Sequence, residues 1–154
     1  MKTKNNFVDL RNSRGGDQDE VMKKIIEANE DPFSPENIKK YHKQPVLLDS
    51  EGWIVTLSQY PYQNTKQHFL LISKRYVEQM SELQQEEILD LFKCFTWLKE
   101  NHRVEGGALG MRFGDTILSG ATVKRLHAHI IVPDTTSKSY EKDRVKFFIG
   151  GNKK

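Results

Sequence analysis

Apolar residues recur at helical spacing in two stretches of the chain. Val21, Met22, Ile25 and Ile26 follow an acidic start at Asp17 and Glu20, which predicts a helix to about Ala28, stopped by Asp31-Pro32. Ile88, Leu91, Phe92, Phe95 and Leu98 recur at steps of three and four behind Ser81-x-x-Gln84, which reads as a capping box. They predict one long amphipathic helix over about 82–101. The β-rich runs are shorter. Pro45–Leu48 and Trp53–Leu57 flank Asp49-Ser50-Glu51-Gly52, a hairpin signal. His68–Ser73, Ala108–Phe113 and Thr122–Val132 read as three more strands, and Val145–Ile149 as a small edge strand. Residues 32–44 read as a connector with a turn of helix near 35–41, and 58–67 and 114–120 as loops. The order predicts an α+β fold with a mainly antiparallel five-stranded sheet. Residues 1–16 are polar and end in Gly15-Gly16, so they read as a flexible N-terminal tail, with a single domain over 17–150.

Composition narrows the partners. The chain has 154 residues, the length of one ordinary domain. Its 24 Lys and Arg against 21 Asp and Glu give a net charge of +3. That suits phosphate ligands and is too weak to predict a nucleic-acid surface. Cys94 is the single cysteine, which excludes an intrachain disulfide and a cysteine-rich zinc site and fits a reducing, cytoplasmic compartment. The longest apolar runs are four or five residues, near 69–72 and 128–132, against the ~20 that span a membrane. The N-terminus is basic but has no apolar stretch behind it, so no secretory signal is read there.

The chemistry concentrates in Thr122–Val132. Alternation puts Leu126, Ala128, Ile130 and Val132 on a core face and Val123, Arg125, His127, His129 and Ile131 on the other. Arg125, His127 and His129 therefore project together, the two imidazoles roughly 6.5–7 Å apart along the strand. Two imidazoles and a guanidinium in line suit an anion. Taken alone, the pair also fits polar residues on a half-exposed strand, or a metal chelate, although no acidic residue or cysteine stands at a nearby ligand spacing.

The surrounding residues, Ser119-Gly120-Ala121-Thr122-Val123-Lys124-Arg125-Leu126-His127-Ala128-His129-Ile130-Ile131-Val132-Pro133, resemble the signature of the histidine triad (HIT) superfamily. The upstream run from Tyr60-Pro61-Tyr62 through His68-Phe69-Leu70-Leu71-Ile72-Ser73-Lys74-Arg75 resembles that superfamily's loop and strand leading into a further active-site histidine. The likeness runs from about Pro32 to Pro133, with features of its diadenosine polyphosphate hydrolase or phosphorylase branch. Two registers are possible. The one in which Arg125, His127 and His129 fill the three histidine positions also puts Gly120, Thr122 and Val123 at the family spacing. The other would make His129 the middle residue.

In the first register the resemblance implies that His127 attacks the α-phosphorus of a nucleotide. The backbone carbonyl of residue 125 holds its other ring nitrogen, and His129 and His68 bond the phosphate oxygens. Arg125 departs from the usual histidine. Its carbonyl can keep the family role, and its guanidinium is expected to clamp phosphate. Thr122 falls near the leaving group, and Ser119, Gly120, Asn64 and Ser58 are candidates for phosphate or ribose contacts. The implied substrates are dinucleoside polyphosphates or nucleoside phosphoramidates, with no cofactor required and Mg²⁺ arriving with polyphosphate. A homodimer is implied as well. Some members carry Cys-Pro-Phe-Cys before the hairpin. Here Asp31-Pro32-Phe33-Ser34 stands there, so no structural zinc is expected. The alternative reading is a nucleotide-binding protein with weak or lost catalysis, because Arg125 replaces a triad histidine. Arg112 reads as a solvated strand-end residue, and Phe92, Phe95 and Trp97 as core or dimer packing.

Overall fold

The computed structural model describes residues 6–152. Five strands form one sheet: β1 (Val46–Asp49), β2 (Trp53–Leu57), β3 (Thr65–Ser73), β4 (Ala108–Arg112) and β5 (His127–Pro133). Their spatial order is β1-β2-β3-β5-β4, with every neighbour antiparallel. The helices are α1 (Asp17–Ala28), α2 (Ile38–Tyr41), α3 (Gln85–His102) and α4 (Thr116–Ser119).

Strand alternation divides the sheet into two faces. On one, Trp53, Val55, Phe69, Leu71, Ala128 and Ile130 meet Leu91, Cys94 and Leu98 of α3 in a buried core. The Trp53 indole N–H donates to the Glu87 carbonyl at 2.8 Å, so even the polar edge of this core is satisfied. Asp90, also on α3, accepts from the Ser50 hydroxyl at 2.6 Å and the Gly52 N–H at 2.8 Å, which fixes the β1–β2 turn against the helix. The opposite face carries Ile54, Leu70 and Ile72, packed with Ile38 of α2, and beside them the three histidines.

Four local expectations change. The helix cap is not Ser81 with Gln84. α3 begins one turn later, where the Gln84 backbone N–H donates to the Glu87 carboxylate at 2.8 Å. The stretch 114–120 is not all loop, because α4 forms behind Asp115, whose side chain accepts from the Ile117 N–H at 2.9 Å. Residues 145–149 form no strand, and the segment runs instead along the open side of the histidines. The last strand begins at His127 rather than Thr122, because the preceding backbone is paired elsewhere. Val123 bridges Val8, the Asp9 N–H donates to the Thr122 carbonyl at 2.7 Å, and the Leu126 N–H donates to the Val77 carbonyl at 2.8 Å.

That pairing also corrects the reading of residues 1–16 as a flexible tail. Residues 1–5 lie outside the described residues. From Phe7 onward the segment is built in: Val8 is 5% exposed, in a cluster with Met22, Ile25 and Val123. The Asn12 amide donates to the carbonyls of Thr116 and Ala121, both at 3.0 Å. Few residues here are apolar, and backbone pairing and one amide take the place of a hydrophobic stripe. Among the described residues, no helix is long and apolar enough to cross a membrane.

Candidate active site

β3 and β5 lie side by side with Leu70 opposite His129 and His68 opposite Ile131. His68 and His129 are thus diagonal neighbours on one face, the distance at which long side chains meet across a ladder. Their rings touch through His68 Nε2 and His129 Nδ1, 2.9 Å apart. His127 lies two residues before His129, its ring centroid 5.0 Å away. All three rings are buried to 8% exposure or less, and those of His127 and His129 line a cavity of about 440 Å³.

Backbone groups assign the tautomers. The Tyr62 N–H can only donate, and it points at His68 Nδ1 at 3.2 Å. His68 therefore carries its proton on Nε2 and donates to His129 Nδ1. His129 in turn carries its proton on Nε2, facing the cavity. His127 is held the other way round. Its Nδ1 lies 2.8 Å from the Arg125 carbonyl, which can only accept, so Nδ1 is protonated and Nε2 is bare. Among the three rings, the free lone pair is thus on His127, and a directed chain of donors ends at His129.

Burial keeps the rings neutral. It is the main cause that pulls His127 and His68 down to about 4, with the cations Arg14 and Arg112 contributing to the lowering of His68. His129 is held well below the usual imidazole range, chiefly by burial and then by its charged and titratable neighbours.

The expected site residues separate into two groups. His68, His127 and His129 come together, and Ser58, Gly120 and Thr122 line the cavity. The Thr122 hydroxyl donates to the Asn12 carbonyl at 2.9 Å. Gly120 caps α4 with φ 73°, and a Cβ there would meet the Gly150 carbonyl at 2.6 Å.

Asn64, Ser119 and the Arg125 side chain do not face the cavity. Asn64 bonds the C-terminal segment, its amide donating to the Asp143 carbonyl and its oxygen accepting from Ser139. The Ser119 hydroxyl accepts from the Ala121 N–H at 3.3 Å. Arg125 precedes the strand, so the alternation that would align it with the histidines has not begun. Its guanidinium turns to Asp31 at 2.7 Å and to the carbonyls of Ser73 and Lys74 at 2.9 and 2.8 Å, with Tyr76 over its plane. These partners rule out the expected phosphate clamp, while the backbone of the same residue holds His127.

Asp31 and Ser34 stand where the resemblance places zinc-binding cysteines in some members. The Asp31 carboxylate is engaged by Arg125 and by the Phe33 N–H at 3.0 Å, and the Ser34 hydroxyl accepts from the Asn37 N–H at 3.2 Å. A carboxylate neutralised by a buried guanidinium and a neutral hydroxyl do not fit a zinc ion.

Several residues around the histidines were not among the expected site residues. Phe33 meets the edge of the His127 ring, with centroids 5.1 Å apart. Tyr62 lies near-parallel to His129 at 5.7 Å. Phe147 packs edge-on to His129 at 5.5 Å and sits over Gly110, where a Cβ would approach its ring to 2.9 Å. Arg112, expected to be solvated, donates to the Tyr62 hydroxyl at 2.8 Å and to the Phe148 carbonyl at 2.8 Å, with Phe147 3.8 Å from its centre. The Tyr-Pro-Tyr run was a usable signal for Tyr62. Nothing in the local sequence marks Phe147.

The cavity therefore has two ends. Met22, Ile25, Phe33 and Leu70 give an apolar end, and the histidines with Tyr62, Arg14 and Arg112 give a polar one. This is the form of a site for an amphiphilic small molecule with an anionic head.

Comparison with known proteins agrees with this picture. Residues 39–136 match the family model described as HIT domain. Among solved structures, a HIT family hydrolase from Clostridium thermocellum superposes with a TM-score of 0.51 at 21% identity, covering 66% of this chain and 90% of that one. A hypothetical histidine triad nucleotide-binding protein from Sulfolobus tokodaii gives a TM-score of 0.50 at 20% identity, covering 76% and 77%. A Hit-like protein involved in cell-cycle regulation from Bartonella henselae gives 0.52 at 17% identity, covering 78% and 86%. No curated protein matches the chain.

Proposed function

The chain belongs to the HIT domain family, and from that premise we propose that it is a nucleotide hydrolase or nucleotidyltransferase acting through a covalent nucleotidyl-histidine at His127. The observation that carries this reading is the bare Nε2 of His127, its Nδ1–H held by the Arg125 carbonyl at 2.8 Å. A neutral imidazole with a fixed free lone pair is a nucleophile at neutral pH.

In the first step Nε2 attacks the α-phosphorus, a P–N bond forms, and the bond to the leaving group breaks with its electron pair on that group. In the second step water attacks the same phosphorus, the P–N bond breaks, and the proton of the water is released. Inorganic phosphate in place of water gives the transferase outcome. His129 Nε2–H is directed at the non-bridging oxygens, where charge gathers in the transition state. Met22, Ile25 and Phe33 offer an apolar wall for the base. The reading asks for no resident metal. Mg²⁺ enters with a polyphosphate substrate as its counter-ion.

Arginine at 125 does not weigh against turnover, because the contact to His127 comes from the main chain. The substrates that suit the site are dinucleoside polyphosphates and nucleoside phosphoramidates. A homodimer is part of the same reading, favoured by Leu89 and Phe92, which α3 leaves 55% and 62% exposed.

The test is to incubate the protein with α-³²P-labelled diadenosine triphosphate and with labelled adenosine phosphoramidate, quench, and map the label. The expected result is one acid-labile nucleotide on His127, with His127→Ala losing about 10³-fold or more in turnover while keeping its circular dichroism. Label on His129, or turnover intact in His127→Ala, overturns the assignment.

A further inference from the structure

Resting on that assignment of His127, we propose that Arg14 and Arg112 form an anion clamp beside the histidines, selecting substrates whose attacked phosphorus is joined to a second, negatively charged phosphate. The first observation is a convergence of donors. Arg112 Nη1 stands 3.4 Å from His129 Nε2. The chain from the Tyr62 N–H through His68 makes His129 Nε2 a donor, and arginine only donates. Two N–H groups meeting at that distance make no bond with each other. An anionic oxygen bridging them satisfies both.

The second observation is charge without a carboxylate. Among the described residues, neither arginine has an acidic partner within ion-pair distance. Arg112 is held by the Tyr62 hydroxyl and the Phe148 carbonyl, and Arg14 by the Tyr60 carbonyl. Both guanidinium centres lie over the Tyr62 ring, at 4.8 Å for Arg14 and 5.9 Å for Arg112, so one aromatic side chain positions two like charges at the same end of the cavity. Asp143, an acid on that rim, is paired with Lys146 at 2.8 Å. Like charges brought together without a counter-charge favour an anion between them.

The two charges are more than one phosphoryl group needs. His129, oriented by His68, already addresses the oxygens of the attacked phosphorus, and the arginines extend the positive field beyond it. A leaving group that is itself a phosphate gains from that field. The amine of a phosphoramidate, which departs without negative charge, does not. Arg14 lies outside the 39–136 match, in the segment that pairs with Thr122, so this preference belongs to the chain's own N-terminal region.

The test compares kcat/KM for diadenosine triphosphate and adenosine phosphoramidate in the wild type, Arg14→Ala, Arg14→Lys and Arg112→Ala. In parallel, isothermal titration measures inorganic phosphate and pyrophosphate on the same four proteins. The wild type is expected to prefer the triphosphate and to bind pyrophosphate about tenfold more tightly than phosphate, as charge-assisted bidentate contacts allow. Arg14→Ala, an exposed residue whose loss leaves the core intact, is expected to lower the substrate preference ratio about tenfold, with Arg14→Lys retaining more of it. Equal affinity for phosphate and pyrophosphate in the wild type, or a preference ratio unchanged in both alanine variants, overturns the clamp. If no substrate is turned over, the hydrolase reading fails, and the pyrophosphate comparison still decides the clamp.

Discussion

The two faces of the sheet are held by different physics. Against α3, Trp53, Leu71, Leu98 and Ala128 are fully buried, and the packing is apolar. On the other face, His127, His129 and segments near both ends of the described residues line a cavity, with His68 bonded to His129 and the Arg125–Asp31 ion pair buried nearby. The first face gains from area removed from water and is nearly indifferent to pH. The second holds neutral bases and buried polar atoms that each need a named partner. The same strands supply both, one residue out of step, so stability and chemistry lie a single side chain apart along β3 and β5.

The sharpest way to break that division is at Arg125, whose ion pair with Asp31 is buried beneath the site. Its side chain and that of Asp31 are 6% and 7% exposed. Arg125→Ala leaves the carboxylate buried without a counter-charge, and a loss of about 3–5 kcal/mol is expected in urea denaturation. Asp31→Asn with Arg125→Gln removes both charges, and this double variant is expected to recover much of that loss. Turnover measured on the folded fraction should persist in it, because the carbonyl at 125 remains. If turnover vanishes while the fold survives, the guanidinium has a chemical role.

On the helix face the expected effect is purely structural. Leu98→Ala removes a side chain with no exposure and should cost about 2–5 kcal/mol, with kcat unchanged below the melting temperature. Phe92→Asp, on the opposite side of the same helix, should leave chain stability within about 0.5 kcal/mol. Analytical ultracentrifugation of that variant reads the homodimer: a shift from dimer to monomer supports it, and a wild type that is monomeric at all concentrations removes it.

The smallest effect separates the faces by pH. The folded pKa of His127 and of His68 is depressed to about 4, below the roughly 6.5 of an unfolded imidazole. The unfolded chain therefore takes up these protons first. Stability is full above about 6.5 and is lost as pH falls toward 4, at a slope of about 1.4 kcal/mol per unit for each ring. Activity should stay flat through neutrality and fall near pH 4 to 5, when Nε2 of His127 is protonated. A rate already halved at pH 6.5 would contradict the burial argument. In His127→Ala the stability slope should lessen by the share of one ring, which pH-dependent denaturant midpoints resolve.

What the amino-acid pattern conveyed followed the same division. α1, the hairpin, the long helix and the two histidine-bearing strands were legible because each has a periodic or continuous apolar side, whereas the pairing of those two strands came only with the structure. His68, His127 and His129 were legible through spacing on one strand and a resemblance to a family. Arg125 misled because strand alternation was extended past the point where the backbone left the sheet, while Asn64 and Ser119, which the resemblance implied, turn their side chains to other partners. Arg14 and Arg112 were hidden because they reach the cavity, and Phe147 because it reaches His129, from segments remote in sequence. The contact from Phe148 back to Arg112, for example, spans 36 residues and has no local pattern. Residues 1–16 read as a flexible tail because composition does not register how a short polar segment such as 7–13 is held, by backbone pairing, one buried Val8 and the Asn12 amide.

The bonds that set the histidine tautomers have an evolutionary consequence. The donor into His68 is the amide of Tyr62, and the acceptor of the His127 proton is the carbonyl of Arg125. Both are main-chain atoms. Drift at position 125 can replace the side chain wholesale without disturbing the acceptor, and any residue except proline at 62 preserves the donor. The polarity of the site is therefore inherited through the path of the backbone. A lineage is free to trade a metal ligand for an ion pair beneath the site and still present the same bare nitrogen above it.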